Sequence, residues 1–266
     1  MRAILRLFLI ITIISGCSSG VTPTPTPQPA TETVLPSPTN TSVTQITRVL
    51  FIGNSYTYGN DMPEMFAGLA RSGGHDVEVG MVAEGGWRLS DHAQSMETLD
   101  KLKSSRWTFV VLQEQSQIPA SPAYRNRDMY PAARQLVLDI REIGATPIFF
   151  LTWGHREGWP ERRLNDYQSM QMQLQEGYET IAQELDVIIA PVGLAWQAAV
   201  QENPQLNLWR DDGRHPRKQG SYLAACVFYA TIFQESPAGL AYYADLSEEV
   251  AQTLQSIASK TVLGIP

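Results

Sequence analysis

From Arg48 onward, short unbroken runs of Val, Ile, Leu and Phe alternate with longer stretches in which apolar residues recur every three or four positions. The short runs are too brief for helices and too continuous for half-exposed strands, so they read as strands buried on both faces of a parallel sheet. The longer stretches read as amphipathic helices that cover it. The predicted strands are 48–53, 76–82, 107–112, 147–152 and 187–191; the predicted helices are 63–72, 91–103, 129–143, 164–185, 194–201, 219–234 and 247–259. This alternation predicts a three-layer α/β/α domain built on five parallel strands.

The pattern before Arg48 is of another kind. Arg2 and Arg6 flank the start of an apolar run ending near Ile14, which is too short to span a bilayer and reads as an export signal. Ile14-Ser15-Gly16-Cys17 has the small-residue spacing of a bacterial lipobox, in which Cys17 becomes a lipidated N-terminus; an ordinary signal with a chance cysteine is the competing reading. Residues 18–46 are dominated by Pro, Thr and Ser and have too few apolar side chains to join a core, so they are expected to form an extended, solvated spacer. Three parts result: a signal at 1–17, a spacer at 18–46 and a single domain at 47–266. The expected location is a bacterial membrane, by lipid anchor, facing the exterior or periplasm.

The formal charge of -7, with 27 acidic against 20 basic residues, disfavours nucleic acid as a partner. Only two cysteines are present. With Cys17 carrying lipid and Cys226 inside an apolar helical stretch, no disulfide is expected and Cys226 reads as a core residue. No two histidines have helical metal-ligand spacing, and neither a metal nor an organic cofactor is implied.

In open α/β sheets ligands bind beyond the carboxyl ends of the strands. Ser55 follows the first predicted strand, Gly85 and Gly86 the second and Gln113 and Gln115 the third, while Asp212 and His215 follow the fifth. All therefore converge on one edge. A serine hydroxyl is a weak nucleophile that needs a base within reach, and a carboxylate that orients the base, and Asp212 lies three residues before His215 so that one turn can hold both. His75, His92 and His155 lack such an acid; His155, just past the fourth strand, is the rival base. The only G-x-S-x-G pattern, Gly16 to Gly20, falls in the lipidation junction, and Thr57 stands where Ser55 would need a second glycine, which argues against an α/β-hydrolase. Tyr56, Tyr58, Trp87, Trp153 and Trp159 cluster near the same edge with Arg156, Arg162 and Arg163. Flat rings and guanidinium groups suit sugars or an anionic group, with core packing of half or more of the rings as the competing reading.

The segments GNSYTYGNDMP, from Gly53, and DGRHPRKQGSYLAA, from Asp212, resemble the first and last sequence blocks of the SGNH (GDSL-like) hydrolases, and the resemblance extends from Arg48 to the last predicted helix. The chain is most similar to a lipoprotein-like subgroup with Gly-Asn-Ser in place of Gly-Asp-Ser. The resemblance implies a flavodoxin-like sheet order, Ser55 as nucleophile, His215 as base and Asp212 as its orienting acid. It also implies an oxyanion hole made by the backbone N–H groups of Ser55 and Gly86 and by the side chain of Gln115, which stands where the family has asparagine; Gly85 and Gln113 are the alternates. Tyr56, Trp87, Trp153 and His155 are the expected substrate contacts. The implied activity is that of an esterase removing acyl groups, most simply acetyl, from a carbohydrate or another acylated small molecule. Its rivals are a lipase or thioesterase, and a non-catalytic lipoprotein that binds glycan.

Overall fold

Five of the apolar runs form five parallel strands in the computed structural model, which describes residues 46–265 together with Thr12 and Gly20. Cys17, the export signal and nearly all of the spacer lie outside the described residues. The strands are β1 (Thr47–Gly53), β2 (Val77–Ala83), β3 (Phe109–Leu112), β4 (Thr146–Phe150) and β5 (Ile188–Ala190). Their order is β2-β1-β3-β4-β5, the flavodoxin-like order that the resemblance implies. Val49 pairs with Val79 on one side and Phe109 on the other, which makes β1 a central strand. Residues Val49 to Ile52 have no exposed surface, as continuous apolar runs require when both faces are covered.

The helices are α1 (Ser55–Tyr58), α2 (Met62–Ser72), α3 (Leu89–His92), α4 (Met96–Lys103), α5 (Pro122–Tyr124), α6 (Tyr130–Glu142), α7 (Tyr167–Leu185), α8 (Val192–Glu202), α9 (Lys218–Phe233) and α10 (Glu248–Leu263). Alternate residues of the strands feed two cores. Phe51, Val111 and Phe150 pack with α2, α8, α9 and α10, and Ile52, Leu112 and Phe149 pack with α4, α6 and α7. Phe228 of α9 stands edge-on to Phe51 and Phe150, with ring centres at 5.2 and 4.9 Å. Removing a ring packed in this way costs about 3–5 kcal/mol, so Phe228 is a principal clamp between α9 and the sheet. Cys226, one helix position class away, is fully buried and its thiol is pushed far up by that burial, as expected of a core residue.

Among the boundaries that differ from the sequence expectation, three do so for clear local reasons. The predicted helix 91–103 is two helices, because the Ser95 hydroxyl accepts from Thr98 N–H and starts α4 afresh. The strand expected from Trp107 begins at Phe109 instead; the Trp107 ring lies over Gly80, where any Cβ would meet it at 2.5 Å. The helix expected from Leu164 starts at Tyr167, where the Asp166 carboxylate caps it by accepting from Ser169 N–H at 2.7 Å. Among the described residues, no helix is long and apolar enough to cross a membrane.

Candidate active site

The loop beyond β5 and α8 makes a tight turn at Asp212 to His215. Gly213 takes φ +67°, a conformation that side chains with a Cβ rarely adopt. The turn is closed by Arg210 N–H on the His215 carbonyl (2.8 Å) and tied to the β4 side by Arg156 N–H on the Gly213 carbonyl (2.8 Å). Asp212 Oδ1 accepts from the N–H groups of Arg214 and His215, at 2.9 and 3.0 Å. Its Oδ2 lies 2.5 Å from His215 Nδ1. Partial burial raises the Asp212 carboxyl, but the bond from the His215 ring and the two backbone N–H bonds outweigh it and bring the group down to about 2. Asp212 is therefore ionised at neutral pH and accepts a hydrogen bond from His215 Nδ1–H, which leaves His215 Nε2 as the acceptor. That nitrogen lies 3.0 Å from Ser55 Oγ.

Ser55 opens α1 directly beyond β1, and a set of buried groups fixes its backbone from beneath. Gln113, fully buried at the end of β3, accepts through Oε1 from Asn54 N–H and from the Thr57 hydroxyl, both at 2.9 Å. A Cβ on Gly53 would lie 2.3 Å from Thr57 Oγ1 and 2.5 Å from Gln113 Oε1, so only glycine fits there. His92, also fully buried, donates from Nε2 to the Gly53 carbonyl at 2.8 Å and accepts at Nδ1 from Thr98 Oγ1 at 3.0 Å. Burial lowers its pKa, consistent with this neutral tautomer. Asn54 accepts from Tyr56 N–H and donates through Nδ2 to the Trp87 carbonyl at 2.8 Å. The Asn in the first block thus serves as a donor to the loop after β2, a bond that an aspartate could not make. His92 escaped the sequence reading because nothing local marks a helical histidine as the partner of a strand-end carbonyl 39 residues away.

An open pocket of about 430 Å³ lies above Ser55 and His215, walled by Tyr58, Gly85, Gly86, Gln115 and Arg214. The backbone N–H groups of Ser55 and Gly86 meet no backbone acceptor among the described residues. The side-chain Oε1 of Gln115 accepts from Gln117 N–H at 2.8 Å, which turns its NH₂ toward a long 3.5 Å contact with Ser116 and leaves it donor capacity at the pocket wall. Gln115 itself is held by Glu114, whose buried Oε1 accepts from the N–H groups of Gln115 (2.6 Å) and Leu89 (3.2 Å). One carboxyl thus ties the third loop to the second. Burial raises its pKa to about 8, so it is protonated at neutral pH.

Several expected site residues lie elsewhere. Gln113 is drawn into the brace beneath Asn54 and has no part in the pocket wall. Trp153 is fully buried, stacked between Tyr56 (4.4 Å) and Trp196 (4.0 Å), and its Nε1–H donates to the Arg214 carbonyl; it supports the histidine loop and is closed to substrate. Tyr56 presents only an edge to the pocket, with its ring against Trp153 and His215. Trp87 packs edge-on to His92 and stays outside the pocket wall. His155 is buried, 3.2 Å from Ser116 Oγ, and burial helps lower its pKa to about 4, so it holds Ser116 and does not reach Ser55. Tyr58, exposed at the rim, lines the pocket as its place in the loop suggested. Among the described residues no three His, Cys, Asp or Glu side chains converge as a metal site would need.

No family model and no curated protein match this sequence. Solved structures do. A protein from Slackia heliotrinireducens described as a candidate SGNH hydrolase is 29% identical over 71% of this chain and 100% of its own, with a TM-score of 0.59. A DUF4886 family protein from Bacteroides uniformis superposes with a TM-score of 0.72 at 18% identity, covering 82% of this chain and 95% of its own. An acetylxylan esterase from Geobacillus stearothermophilus gives 0.53 at 18% identity, over 70% and 94%. The last two speak to fold. In sheet order, in its first and last sequence blocks and in the first of these similarities the chain resembles the SGNH (GDSL-like) hydrolases, and it is a serine hydrolase that acts on ester bonds.

Proposed function

We propose that this hydrolase removes acetyl groups from a carbohydrate, with Ser55 as nucleophile. The observation that carries the reading is the chain of contacts from Ser55 Oγ through His215 to Asp212 at the floor of an open pocket. Ser55 Oγ attacks the ester carbonyl carbon as its proton passes to His215 Nε2. The tetrahedral intermediate collapses, the sugar oxygen leaves with that proton, and an acetyl-Ser55 ester remains. Water repeats the sequence and releases acetate. The developing oxyanion is met by the N–H groups of Ser55 and Gly86 and by the Gln115 amide. The polar wall, with Gln115, Ser116, Gln117 and Arg214, favours a small acyl group over the long chain of a lipase substrate.

The acetylxylan esterase among the structural neighbours supports a carbohydrate substrate at the level of fold. In the cell the enzyme is held to a membrane by lipid on Cys17, with residues 18–46 as spacer. Two measurements test the whole reading. Purified protein should release p-nitrophenol from the acetate ester far faster than from long-chain esters, and acetate from acetylated glycans; no turnover of any ester would favour the glycan-binding lipoprotein. Cys17→Ala should move a mature, signal-cleaved protein from the membrane to the soluble exported fraction. Persistence with membranes after a salt wash would remove the anchor from the reading.

A further inference from the structure

The chain carries an excess of seven acidic charges, yet the mouth of the pocket is cationic. The pocket over Ser55 opens on one side into a second, of about 290 Å³, which shares Gly86, Gln115 and Gln117 with it and continues to Arg88, Tyr124, Arg127 and Trp159. On the other side a smaller recess shares Ser55, Tyr58 and His215 and ends at Arg210. No carboxylate lines any of the three among the described residues, while Arg88, Arg127, Arg210 and Arg214 all do. Beside the second pocket Asp128 accepts from both Nε and Nη2 of Arg127, at 2.7 Å each, and lies 3.5 Å from Arg88, so that Arg88 is the less neutralised of the two guanidinium groups. Arg162 adds a third, stacked 4.6 Å from Tyr124 and 5.4 Å from Trp159, with its N–H on the Tyr124 hydroxyl and no carboxylate partner among the described residues.

Such an arrangement leaves an excess of positive charge along the pocket, which attracts a negatively charged group. The two half-buried rings, Tyr124 and Trp159, line the pocket and carry the Arg162 guanidinium over them, so that an aromatic wall and a positive charge meet in one place. Guanidinium forks match carboxylates through paired N–H bonds. We infer that the second pocket binds a carboxylate-bearing sugar, so that the acylated carbohydrate this enzyme takes is an acidic glycan rather than a neutral one. The inference rests on the esterase reading for its turnover but not for its binding. The aromatic wall borders the saccharide, and the arginines hold its carboxylate one subsite away from the ester at Ser55.

The test compares partially acetylated oligogalacturonate with acetylated xylo-oligosaccharide of equal length, using the full chain. At low salt kcat/KM should be on the order of tenfold or more higher for the acidic substrate, and the preference should shrink as salt screens the arginines. The double substitution Arg88→Gln and Arg127→Gln should bring the ratio toward one. Equal kcat/KM for the two substrates, or a preference for the neutral one, overturns the inference while leaving the esterase intact. Calorimetric titration with unacetylated tetragalacturonate and xylotetraose separates the two readings: selective binding of the acid without any ester turnover sinks the esterase alone, and equal or absent binding sinks the acidic-glycan site.

Discussion

The Ser55 loop is held from below by buried side chains, whereas the loop bearing Asp212 and His215 is held through its backbone, by its own turn and by Trp153 and Arg156 from the β4 side. Asn54 is 3% exposed and Gln113 fully buried, but the side chains of His215 and Asp212 are 39% and 45% exposed. A hydroxyl has to stand still while a carbonyl comes to it, so its support is built into the core. The imidazole has only to keep one tautomer and one direction, and a three-residue turn with a carboxylate does that at the surface. The contrast teaches that the two halves should fail differently: damage near Ser55 reaches stability and turnover together, while damage near His215 reaches turnover alone.

The largest test of that contrast is removal of the reacting groups themselves. Ser55→Ala and His215→Ala should each lower kcat by about 10⁴-fold or more, and the double variant should fall no further, since the two act as one unit. Both should melt near the wild type, because neither hydroxyl nor ring supports much packing; a multiplicative double effect would show that the residues act independently. Next comes Gln115→Ala, expected to lower kcat by about 10²–10³-fold with little change in KM, the signature of a donor used only in the transition state. An unchanged kcat would take Gln115 out of the oxyanion hole.

Gln113→Ala sharpens the comparison from the other side. It leaves Asn54 N–H and the Thr57 hydroxyl without their buried acceptor, and should cost about 1–3 kcal/mol of stability, with lower turnover than the wild type but a smaller loss than for Gln115→Ala. Chemical denaturation measures the first and steady-state kinetics the second. Gly213→Ala, in the self-held turn, should strain that turn by about 1–2 kcal/mol and slow turnover several-fold with a smaller effect on global unfolding. If Gly213→Ala were the more destabilising of the two, the contrast between the loops would not hold.

A further test concerns pH. In the folded chain burial raises Glu114 from its ordinary 4.5 to about 8, despite bonds from Gln115 and Leu89 and the nearby Arg88. Asp128 opposes ionisation, and the Tyr178 hydroxyl of α7 accepts from the Glu114 N–H at 3.2 Å. Between those two values the native state keeps a proton that the unfolded chain has released, so stability attributable to this group falls as pH rises across the interval and levels off above it. Melting temperatures followed across that range should decline less steeply in Glu114→Gln than in the wild type. Parallel declines would mean that Glu114 is not the titrating group.

The parts of the site legible in the sequence are those encoded within a few residues. Continuous apolar runs announced the strands, and a serine at a strand end and an acid three residues before a histidine announced the two loops. The parts not legible need contacts between distant segments. Trp153 and Trp159 look alike as aromatics beyond a strand, but one is sealed between Tyr56 and Trp196 and the other borders an open trough. Gln113 and Gln115 differ by two positions, so their side chains follow opposite courses only because the strand has ended between them and the chain has begun to turn. His92 and Asn54 became braces only once β1, β2 and α3 met.

Ser55 and His215 lie 160 residues apart, and Asn60 reaches Ser221 across 161. A nascent chain that has emerged only as far as Glu202 already contains all five strands and still lacks its base. Closing so long a loop is slow and follows the more local pairings. Ester hydrolysis is therefore a clock for the last stage of folding: in a refolding experiment its recovery should lag the return of secondary structure, marking the moment at which the turn before α9 docks against the serine.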